Sequence, residues 1–426
     1  MMKRRRFIEL STVGSAAVAS SLYLPGSFQS RKIKIGLIGA GWYGMVDIKA
    51  ALKIGGVEVI ALCDVDSAHL NSSADEVEKL QGKRPKTFKY YQDLLDIKDL
   101  EAVFIGTMPH WHALQFIAAC QKGLDIYCEK PLAYDIKEGI AMVNAAEKAG
   151  NLVQVGFQRR QSNAFSRAKE LIESGKIGAV HQVVAQINYI PVLEDTKIQQ
   201  PPATLDWEEW CGPAPNLDYR PNIGHKAWRL EKEYGNGHLV DWGIHHIDII
   251  RKIMGSGMPA EFYTKGGIYE LKDKITTPDT LTSCMTFTEF QLIWQHKLWG
   301  TGDVTKEYNN GIFFHGEKGS LFAEDSKVTV FPAGRDAQKE VLSIPTEMMQ
   351  EKHVENFLNA VKTKNSKLIN CTPEDAFQST ATVQLAMISY NTGSSVKWDQ
   401  KKKEIIGNPE ASALLKREYR GKLVHP

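Results

Sequence analysis

The amino-acid sequence predicts two folds in one chain: an α/β domain with a doubly wound parallel sheet, then an α+β domain with an open-faced, mostly antiparallel sheet. Three observations support this prediction. Short strand-like segments alternate with helices as far as Phe157, a glycine-rich turn follows the first strand, and longer alternating strands fill the second half.

The first half shows the strand–helix alternation of a parallel sheet. Its predicted strands are KIKIGLIG, VEVIALCDV, TFKYY, LEAVFIGT, LDIYCE and NLVQVGF. Its predicted helices are WYGMVDIKAALKI, SAHLNSSADEVEKLQG, WHALQFIAACQKG and IKEGIAMVNAAEKAG. We therefore predict a domain over residues 31–157.

The second half, residues 158–426, has a different pattern. A helix in NAFSRAKELIESGKIG leads into the strands AVHQVVAQINYI, LTSCMTFTEF, FQLIWQHKLWG, GIFFHGE, GSLFAED and KVTVFP. Apolar and polar residues alternate in these strands, which predicts a sheet covered on one face only. The helices EKHVENFLNAVKT and PEDAFQSTATVQLAMISYN follow, and the residues after Trp398 are predicted to form a surface return strand or an extension.

Three glycines follow the first strand in the spacing G-x-G-x-x-G. The first permits a tight turn, the second lets the main chain approach a pyrophosphate, and the third lets helix and strand pack closely. Asp64 ends the second strand, where a carboxylate accepts ribose hydroxyls and repels a 2′-phosphate, so NAD is predicted in preference to NADP. The predicted cofactor loop and its acid are Gly39, Gly41, Trp42, Tyr43, Gly44 and Asp64.

Two further segments carry groups suited to acid–base chemistry. Glu129 and Lys130 follow the fifth strand, at the edge where doubly wound sheets bind ligands. In GHLVDWGIHHID, helical spacing places Asp241, His245 and Asp248 on one face. A carboxylate can position a hydroxyl while an imidazole removes its proton, but a polar loop and a capped helix with structural histidines explain the same pattern.

Aromatic residues are dense between Trp207 and Trp242. Their rings suit stacking on sugars, although most of them equally fit a hydrophobic core. The histidine pairs in PHWH and IHHI have no third ligand at a fixed spacing, so no metal site is predicted.

Residues 1–30 differ from the rest of the chain in charge. This segment has four cations (Lys3, Arg4, Arg5 and Arg6) and one acid (Glu9), so its net charge is larger than the +2 of the whole chain. The remaining chain is therefore close to neutral and is not predicted to bind nucleic acid. The basic run and the mildly apolar LSTVGSAAVASSLYL resemble a twin-arginine export signal. We predict a periplasmic protein without a membrane span; a disordered basic tail on a cytoplasmic protein is the alternative. Because that pathway exports proteins already folded in a reducing cytoplasm, the six cysteines are predicted to be free.

The segments GLIGAGWYG, GTMPHWHA, CEKPLA, VGFQRR, GKIGAV, AWR and GHLVDWGIHHID follow one another in a specific order. In this order the chain resembles the Gfo/Idh/MocA family, which includes glucose–fructose oxidoreductase and inositol dehydrogenase, and most closely its exported, twin-arginine members. The resemblance runs from about Lys32 to Glu418. It implies a Rossmann domain, an open-faced second domain, and homo-oligomers (dimers or tetramers) that pair through the open sheets.

Residue by residue, the resemblance implies that Lys130, Asp241 and His245 are catalytic. His245 would be the general base, Lys130 would assist electrostatically, and Asp241 would hold the sugar. The implied substrate-binding residues are Lys130, Gln158, Arg159, Asp241 and His245. The other residues implied to border the cofactor are Thr107, Pro109, His112, Glu129, Lys130, Trp228 and Arg229.

Together these residues predict an NAD-dependent oxidoreductase that acts on a CH–OH group of a sugar or sugar derivative. An exported enzyme meets no pool of NAD, so we expect a tightly bound cofactor that is restored within each cycle. Two alternatives stay open. A glycoside hydrolase or lyase that oxidises C3 transiently needs the same residues, and a non-catalytic carbohydrate-binding protein could hold NAD structurally.

Overall fold

The computed structural model describes residues 31–225, 227–300, 306–346 and 348–426. The predicted export signal in residues 1–30 lies outside the described residues, so it stays a prediction. From Lys32 onward the chain forms one compact unit.

The first half contains a six-stranded parallel sheet flanked by helices. Its strands are β1 (Ile33–Ile38), β2 (Val57–Cys63), β3 (Lys86–Phe88), β4 (Ala102–Ile105), β5 (Asp125–Glu129) and β6 (Val153–Gly156). Its helices are α1 (Trp42–Ile54), α2 (Ser67–Gln81), α3 (Tyr91–Leu95), α4 (Pro109–Gln121) and α5 (Ile136–Ala149). The strand order β3-β2-β1-β4-β5-β6 confirms the predicted doubly wound sheet, and its reversal between β1 and β4 creates a crevice for ligands.

The second half is built on one large sheet. In chain order its first elements are α6 (Asn163–Glu173), β7 (Val180–Ile187), α7 (Trp207–Cys211), a π-helical turn (Leu239–Gly243) and α8 (Ile244–Met254). Next come β8 (Glu261–Gly267), β9 (Thr280–Thr286), β10 (Gln291–Lys297), β11 (Asn310–Gly316), β12 (Gly319–Glu324), β13 (Lys327–Pro332) and β14 (Glu340–Ser343). The last elements are α9 (Met349–Thr363), α10 (Pro373–Thr392), β15 (Val396–Asp399), β16 (Glu404–Ile406) and α11 (Pro409–Ala413). Short 3₁₀ turns cover Gln158–Gln161, Pro221–Ile223, Ala227–Leu230, Lys306–Tyr308 and Ser366–Leu368.

The ten strands lie in the order β14-β13-β12-β11-β7-β10-β9-β8-β15-β16, and only β7 and β10 pair in parallel. Leu292, Trp294 and His296 of β10 are buried, whereas the residues between them are partly exposed. Helices α6, α8 and α10 pack against the buried face. The predicted open-faced, mostly antiparallel sheet is therefore confirmed.

Several elements were not anticipated from the sequence. Strand β8 has the sequence EFYTKGG, whose two glycines weaken its strand pattern, yet it pairs with β9 and β15 on its two sides. The predicted strand TFKYY is shorter than expected, because the chain turns into α3 at Tyr91. After Trp398 the predicted return strand is present as β16, which pairs with β15 in a hairpin that begins at Val396.

All six cysteines lie in the described part of the chain and are free thiols, as predicted. Five are buried, and Cys284 is partly exposed. Within that same part, no helix has both the length and the apolar character needed to cross a membrane.

Candidate active site

A cavity of about 950 Å³ lies at the carboxyl ends of β1, β2 and β4. This volume is at the upper end of the roughly 300–1,000 Å³ that small-molecule sites occupy. Among the residues predicted to border a cofactor, its wall contains Gly39, Gly41, Trp42, Tyr43, Asp64, Thr107, Trp228 and Arg229.

The glycine loop between β1 and α1 fits a dinucleotide. Gly39 has a φ of +90°, and a Cβ there would overlap the main chain of Thr107. A Cβ on Gly44 would overlap the carbonyl oxygen of Gly39, so this glycine allows α1 to pack on the sheet. A Cβ on Gly41 would have no neighbour within 4 Å, which leaves the main chain at the start of α1 open to a pyrophosphate.

Asp64 lies on the cavity wall at the end of β2, as the ribose-binding role requires. Burial raises the pKa of Asp64 to about 6, although the main-chain N–H of Asp66, which donates to Oδ1 at 2.9 Å, acts in the opposite direction. Hydroxyl donors would stabilise its ionised form, so the carboxylate is suited to bind the two hydroxyls of a ribose.

Lys130 follows β5 and makes an ion pair with Asp241. Its Nζ donates to Oδ1 of Asp241 at 3.0 Å and to the main-chain oxygen of the same residue at 2.6 Å. The other carboxylate oxygen lies 3.0 Å from Nε of Arg229, which belongs to the cavity wall. Burial by itself would raise the pKa of Asp241, but the charges of Lys130 and Arg229 outweigh burial and hold it below its ordinary value. This ion-pair cluster therefore adjoins the cofactor cavity through Arg229.

Asp241 lies in the π-helical turn that precedes α8. Turns of this kind occur most often at functional sites. A Cβ on Gly243 would overlap Leu239 and the ring of Trp294, so the turn fits against β10 because residue 243 has no side chain. Asp248 lies in α8, three residues after His245, and pairs with Arg160, so it belongs to a different ion pair from Asp241.

His245 is the first candidate for a general base. Its side chain is buried, and Nδ1 has no hydrogen-bond partner among the described residues. Burial, followed by the charges of Lys130 and Arg159, lowers the pKa of His245 well below its ordinary value. The imidazole is therefore neutral at pH 7, which is the form that can accept a proton.

A partly open patch borders His245. The ring centroid of Trp242 lies 6.2 Å from that of His245, and 38% of the Trp242 residue surface is exposed. The guanidinium of Arg159 lies 5.7 Å from the centroid of a Trp242 ring, and one of its buried nitrogens, Nη1, has no partner among the described residues. The patch thus combines an aromatic face, a cation and an imidazole.

Four of the predicted site residues are buried and do not line the cavity. Glu129 and Gln158 are buried and bonded to each other, with Nε2 of Gln158 donating to Oε1 of Glu129 at 2.7 Å. Pro109 and His112 are buried in α4, and the His112 nitrogens lie 2.9 and 3.0 Å from the carbonyl oxygens of Pro131 and Thr107. These contacts hold the loops after β4 and β5 in place, and the predicted contacts of the four residues with cofactor and substrate stay predictions.

Most aromatic residues of the 207–242 region form a small hydrophobic core, which was the alternative to sugar stacking in the sequence analysis. Trp207, Trp210 and Tyr234 are buried in one cluster. Trp228 is also buried, and the guanidinium of Arg229 lies 4.5 Å from its ring centroid. Trp242 is the exception, since it remains exposed beside the ion-pair cluster.

Two groups have the composition of a metal site: Asp66, His69 and His225, and Asp135, Glu138 and His425. In each group a histidine Nε2 lies 2.9 Å from an aspartate Oδ2, which is a hydrogen-bond distance. Both aspartates also cap helices, because Asp66 accepts the N–H of Ala68 and Asp135 that of Glu138. These contacts explain both groups without an ion, and the expected absence of a metal stays a prediction.

The cavity wall also includes residues that the sequence did not suggest as site residues. Trp111 and Gln115 come from α4, Tyr90 precedes α3, and Arg420 and Lys422 come from the last ten residues. They are brought to the wall by packing between elements distant in sequence.

Comparison with known proteins gives a family for both halves of the chain. Residues 33–157 match the NAD-binding Rossmann fold of the GFO_IDH_MocA oxidoreductase family, and residues 184–425 match the C-terminal alpha/beta domain of that family. The chain is 25% identical to myo-inositol 2-dehydrogenase of Thermotoga maritima over 343 residues, which cover 79% of this chain and 88% of that enzyme.

Two further matches are more limited, the first in the length that it covers and the second in sequence identity. A glycosyl hydrolase family 109 protein of Stenotrophomonas maltophilia is 38% identical over 137 residues, which cover 30% of this chain and 29% of that protein. The solved structure of a levoglucosan dehydrogenase with NADH and levoglucosan has a TM-score of 0.66 at 19% identity, and the match covers 86% of this chain and 99% of that one. The matched domains and the geometry of the glycine loop agree, and this chain is therefore a member of the Gfo/Idh/MocA oxidoreductase family with an NAD-binding Rossmann domain.

Proposed function

We propose that this protein is an NAD-dependent oxidoreductase that oxidises a CH–OH group of a sugar or cyclic polyol. The observation that carries the proposal is the position of Lys130 and Asp241, which form an ion pair beside the cofactor cavity and next to His245. Relatives named as myo-inositol and levoglucosan dehydrogenases support this substrate class.

The chain's own groups divide the chemistry between them. When bound, NAD accepts a hydride from the carbon that carries the hydroxyl. His245 takes the hydroxyl proton, because its imidazole is neutral and adjoins the exposed ring of Trp242. The Lys130 ammonium stabilises the negative charge that develops on the same oxygen, and Asp241 holds that ammonium in place.

The patch beside His245 is suited to the ring of the substrate. The exposed face of Trp242 can stack on the C–H face of a cyclic sugar, while Arg159 can donate to its hydroxyls. Trp242→Ala should therefore raise the KM for an active sugar and leave cofactor affinity unchanged. An unchanged KM would remove Trp242 from the substrate site.

Single-turnover kinetics test the proposed reaction. Purified protein is loaded with NAD and mixed with candidate sugars and cyclic polyols while the absorbance of reduced nicotinamide is followed. Lys130→Met should abolish the absorbance change while NAD still binds, whereas Arg84→Met, which breaks only an exposed ion pair, should leave it intact. A Lys130→Met protein with a normal rate would refute the role of the ion pair.

A second candidate function is NAD-dependent cleavage of a glycosidic bond, favoured by the similarity to the family 109 glycosyl hydrolase. Transient oxidation of a ring carbon acidifies the neighbouring C–H, which permits elimination of the leaving group, followed by water addition and re-reduction. This route needs the same lysine and histidine. Release of an aromatic leaving group from a nitrophenyl glycoside, without net formation of NADH, would distinguish it. Sugar binding without either reaction would indicate the non-catalytic alternative.

The twin-arginine signal, the periplasmic location and the oligomer belong to the proposal as well. Arg4, Arg5 and Arg6 precede Phe7 in the order of such signals. Lysine replacement of Arg4 and Arg5, the twin arginines of the predicted signal, should keep the protein in the cytoplasm, as measured by cell fractionation. The open sheet face carries the exposed apolar side chains of Tyr263 and Ile406, which suits pairing of two copies, and light scattering would give the mass.

A further inference from the structure

The segment of residues 417–426 runs along the cofactor cavity. Arg420, Gly421, Lys422 and Leu423 belong to the same wall as Gly41 and the ribose-binding acid of β2. None of these four residues takes part in the chemistry proposed above. The cavity is therefore enclosed partly by chain that lies outside the Rossmann fold.

One end of this segment is anchored at the start of α5. The hydroxyl of Tyr419 donates to Oε1 of Glu138 at 2.6 Å, and the guanidinium of Arg417 lies 3.9 Å from the Tyr134 ring centroid. The Arg417 main-chain N–H donates to Oδ2 of Asp135 at 3.1 Å. Glu138 is buried, so these contacts are shielded from solvent.

Arg420 anchors the segment to α7. Its Nη1 donates to Oε1 of Glu208 at 2.7 Å, and its Nε lies 3.2 and 3.1 Å from the carbonyl oxygens of Gly212 and Ala214. Helix α7 is itself bound to α4, because the indole N–H of Trp111 donates to the Glu209 and Trp210 carbonyls. A single side chain thus fastens the segment to an element already fixed on the Rossmann domain.

We infer that residues 417–423 form a strap that retains the dinucleotide, and that cofactor release requires Arg420 to leave its contacts on α7. A segment that covers part of a bound ligand slows its dissociation, because the ligand leaves faster while the segment is displaced. Lys422 makes no ion pair among the described residues, and its cation on the cavity wall complements the charge of a pyrophosphate.

This inference rests on the NAD site and gives the expected tight binding a structural cause. With association at about 10⁶ M⁻¹s⁻¹, a complex with a Kd of about 1 nM dissociates within roughly a quarter of an hour. Retention for a day requires a Kd on the order of 10 pM. A strap can supply part of that difference by slowing dissociation, without further contacts from the glycine loop.

Stopped-flow fluorescence of NADH, displaced by excess NAD, measures the release rate. Arg420→Ala should raise it about tenfold or more, with a smaller change in the association rate. Arg84→Ala is the matched control, since it removes an exposed arginine with ion pairs on α2, away from the cavity wall. Equal release rates in the two variants would overturn the strap.

Two milder variants guard against a folding defect in Arg420→Ala. Tyr419→Phe loses only the bond to Glu138, and Lys422→Ala removes an exposed cation, so both should release NADH several times faster while they melt like the wild type. If neither accelerates release, the inference fails even if Arg420→Ala is unfolded. Wild-type protein that does not bind NADH would overturn the cofactor site and the strap together, whereas normal binding with unchanged release in all variants would overturn the strap alone.

Discussion

Two buried ionic networks meet at α8, and they differ in how completely their groups are paired. In the first, the Arg160 guanidinium donates to both carboxylate oxygens of Asp248, with Nε to Oδ2 at 2.7 Å. Asp248 also accepts the Ser379 hydroxyl at 2.8 Å, while Arg251 and Asp375 extend the network into α10. Each charged group in this network faces an opposite charge.

The second network, around Asp241, borders the cavity instead of the core. Lys130 and Arg229 neutralise the carboxylate, but the neighbouring His245 keeps a buried nitrogen without a partner among the described residues. Arg159 also has such a nitrogen. An unpaired buried nitrogen is costly, but it does not by itself identify a functional residue, because Nδ1 of His246 also has no partner among the described residues.

The comparison shows that burial and ion pairing do not by themselves identify a functional residue. Asp241 and Asp248 are both buried aspartates paired with cations on neighbouring turns of the same segment. What separates them is position: Arg229 connects Asp241 to the cavity wall, whereas Asp248 is bonded to Arg160 and Ser379. Three variants and one change of pH give testable predictions, which follow from the largest expected effect to the smallest.

Replacement of the His245 imidazole should have the largest effect on the reaction. His245→Asn should keep its fold and its NAD but lose about 10²–10⁴ in the rate of hydride transfer, the usual contribution of a positioned base. Single-turnover reduction of bound NAD measures this rate. His246→Asn is the control, because it removes the adjacent buried imidazole, and it should retain the rate per folded molecule. A normal rate in His245→Asn would leave Lys130 as the next candidate.

Disruption of the closed network should instead affect stability. Arg160→Met leaves the Asp248 carboxylate buried without its guanidinium partner, so the free energy of unfolding should fall by about 3–5 kcal/mol. Urea denaturation followed by circular dichroism measures this loss. Arg84→Met, at an exposed ion pair, should cost at most about 1 kcal/mol. A comparable loss in both proteins, or a slower reaction per folded Arg160→Met molecule, would contradict the assignment of this network to structure.

A third test concerns the acid of the cofactor cavity. Asp64→Ala should weaken NAD binding by roughly 10-fold to 100-fold, since the ribose hydroxyls lose a charged acceptor. It should also reduce the preference for NAD over NADP, because the repulsion of a 2′-phosphate disappears. Fluorescence titration with both reduced cofactors gives the two affinities, and Asp75→Ala on the exposed side of α2 is the control. An unchanged preference would place Asp64 away from the ribose.

The smallest expected effect is a pH dependence of stability that belongs to His245. Its pKa is lowered in the folded state, so below its unfolded pKa of about 6.5 the unfolded chain binds a proton that the folded chain does not. Wild-type stability should therefore fall as the pH drops below 6.5, and at pH 5.5 the contribution of this residue is about 1 kcal/mol. Other buried histidines act in the same direction, so urea curves of wild type and His245→Asn at both pH values isolate it. The same slope in both proteins would show that His245 is already protonated when folded.

Local chemistry in the sequence determined a large part of this protein. The glycine spacing, the acid after β2 and the strand–helix alternation predicted the parallel sheet and NAD, because each depends on neighbouring residues and on periods that the chain itself displays. The resemblance to a family assigned Lys130 and Asp241 to one site, but their ion pair was not predicted, since no spacing in the sequence relates residues this far apart. The pairing of Asp248 with Arg160 could not be predicted from the sequence either, because the two residues are 88 positions apart.

Tertiary structure alone decided which charged residues face a cavity and which are closed off. Arg229 pairs with Asp241 and also lines the cavity. Glu129 and Gln158 bond to each other and do not line the cavity, whereas Arg420, near the end of the sequence, does. Sequence patterns could not show these positions, because burial and side-chain direction depend on elements that pack together only after the chain has folded. The sequence therefore determined which chemical groups this protein has, and the packing of its two sheets and its last residues decided where they act.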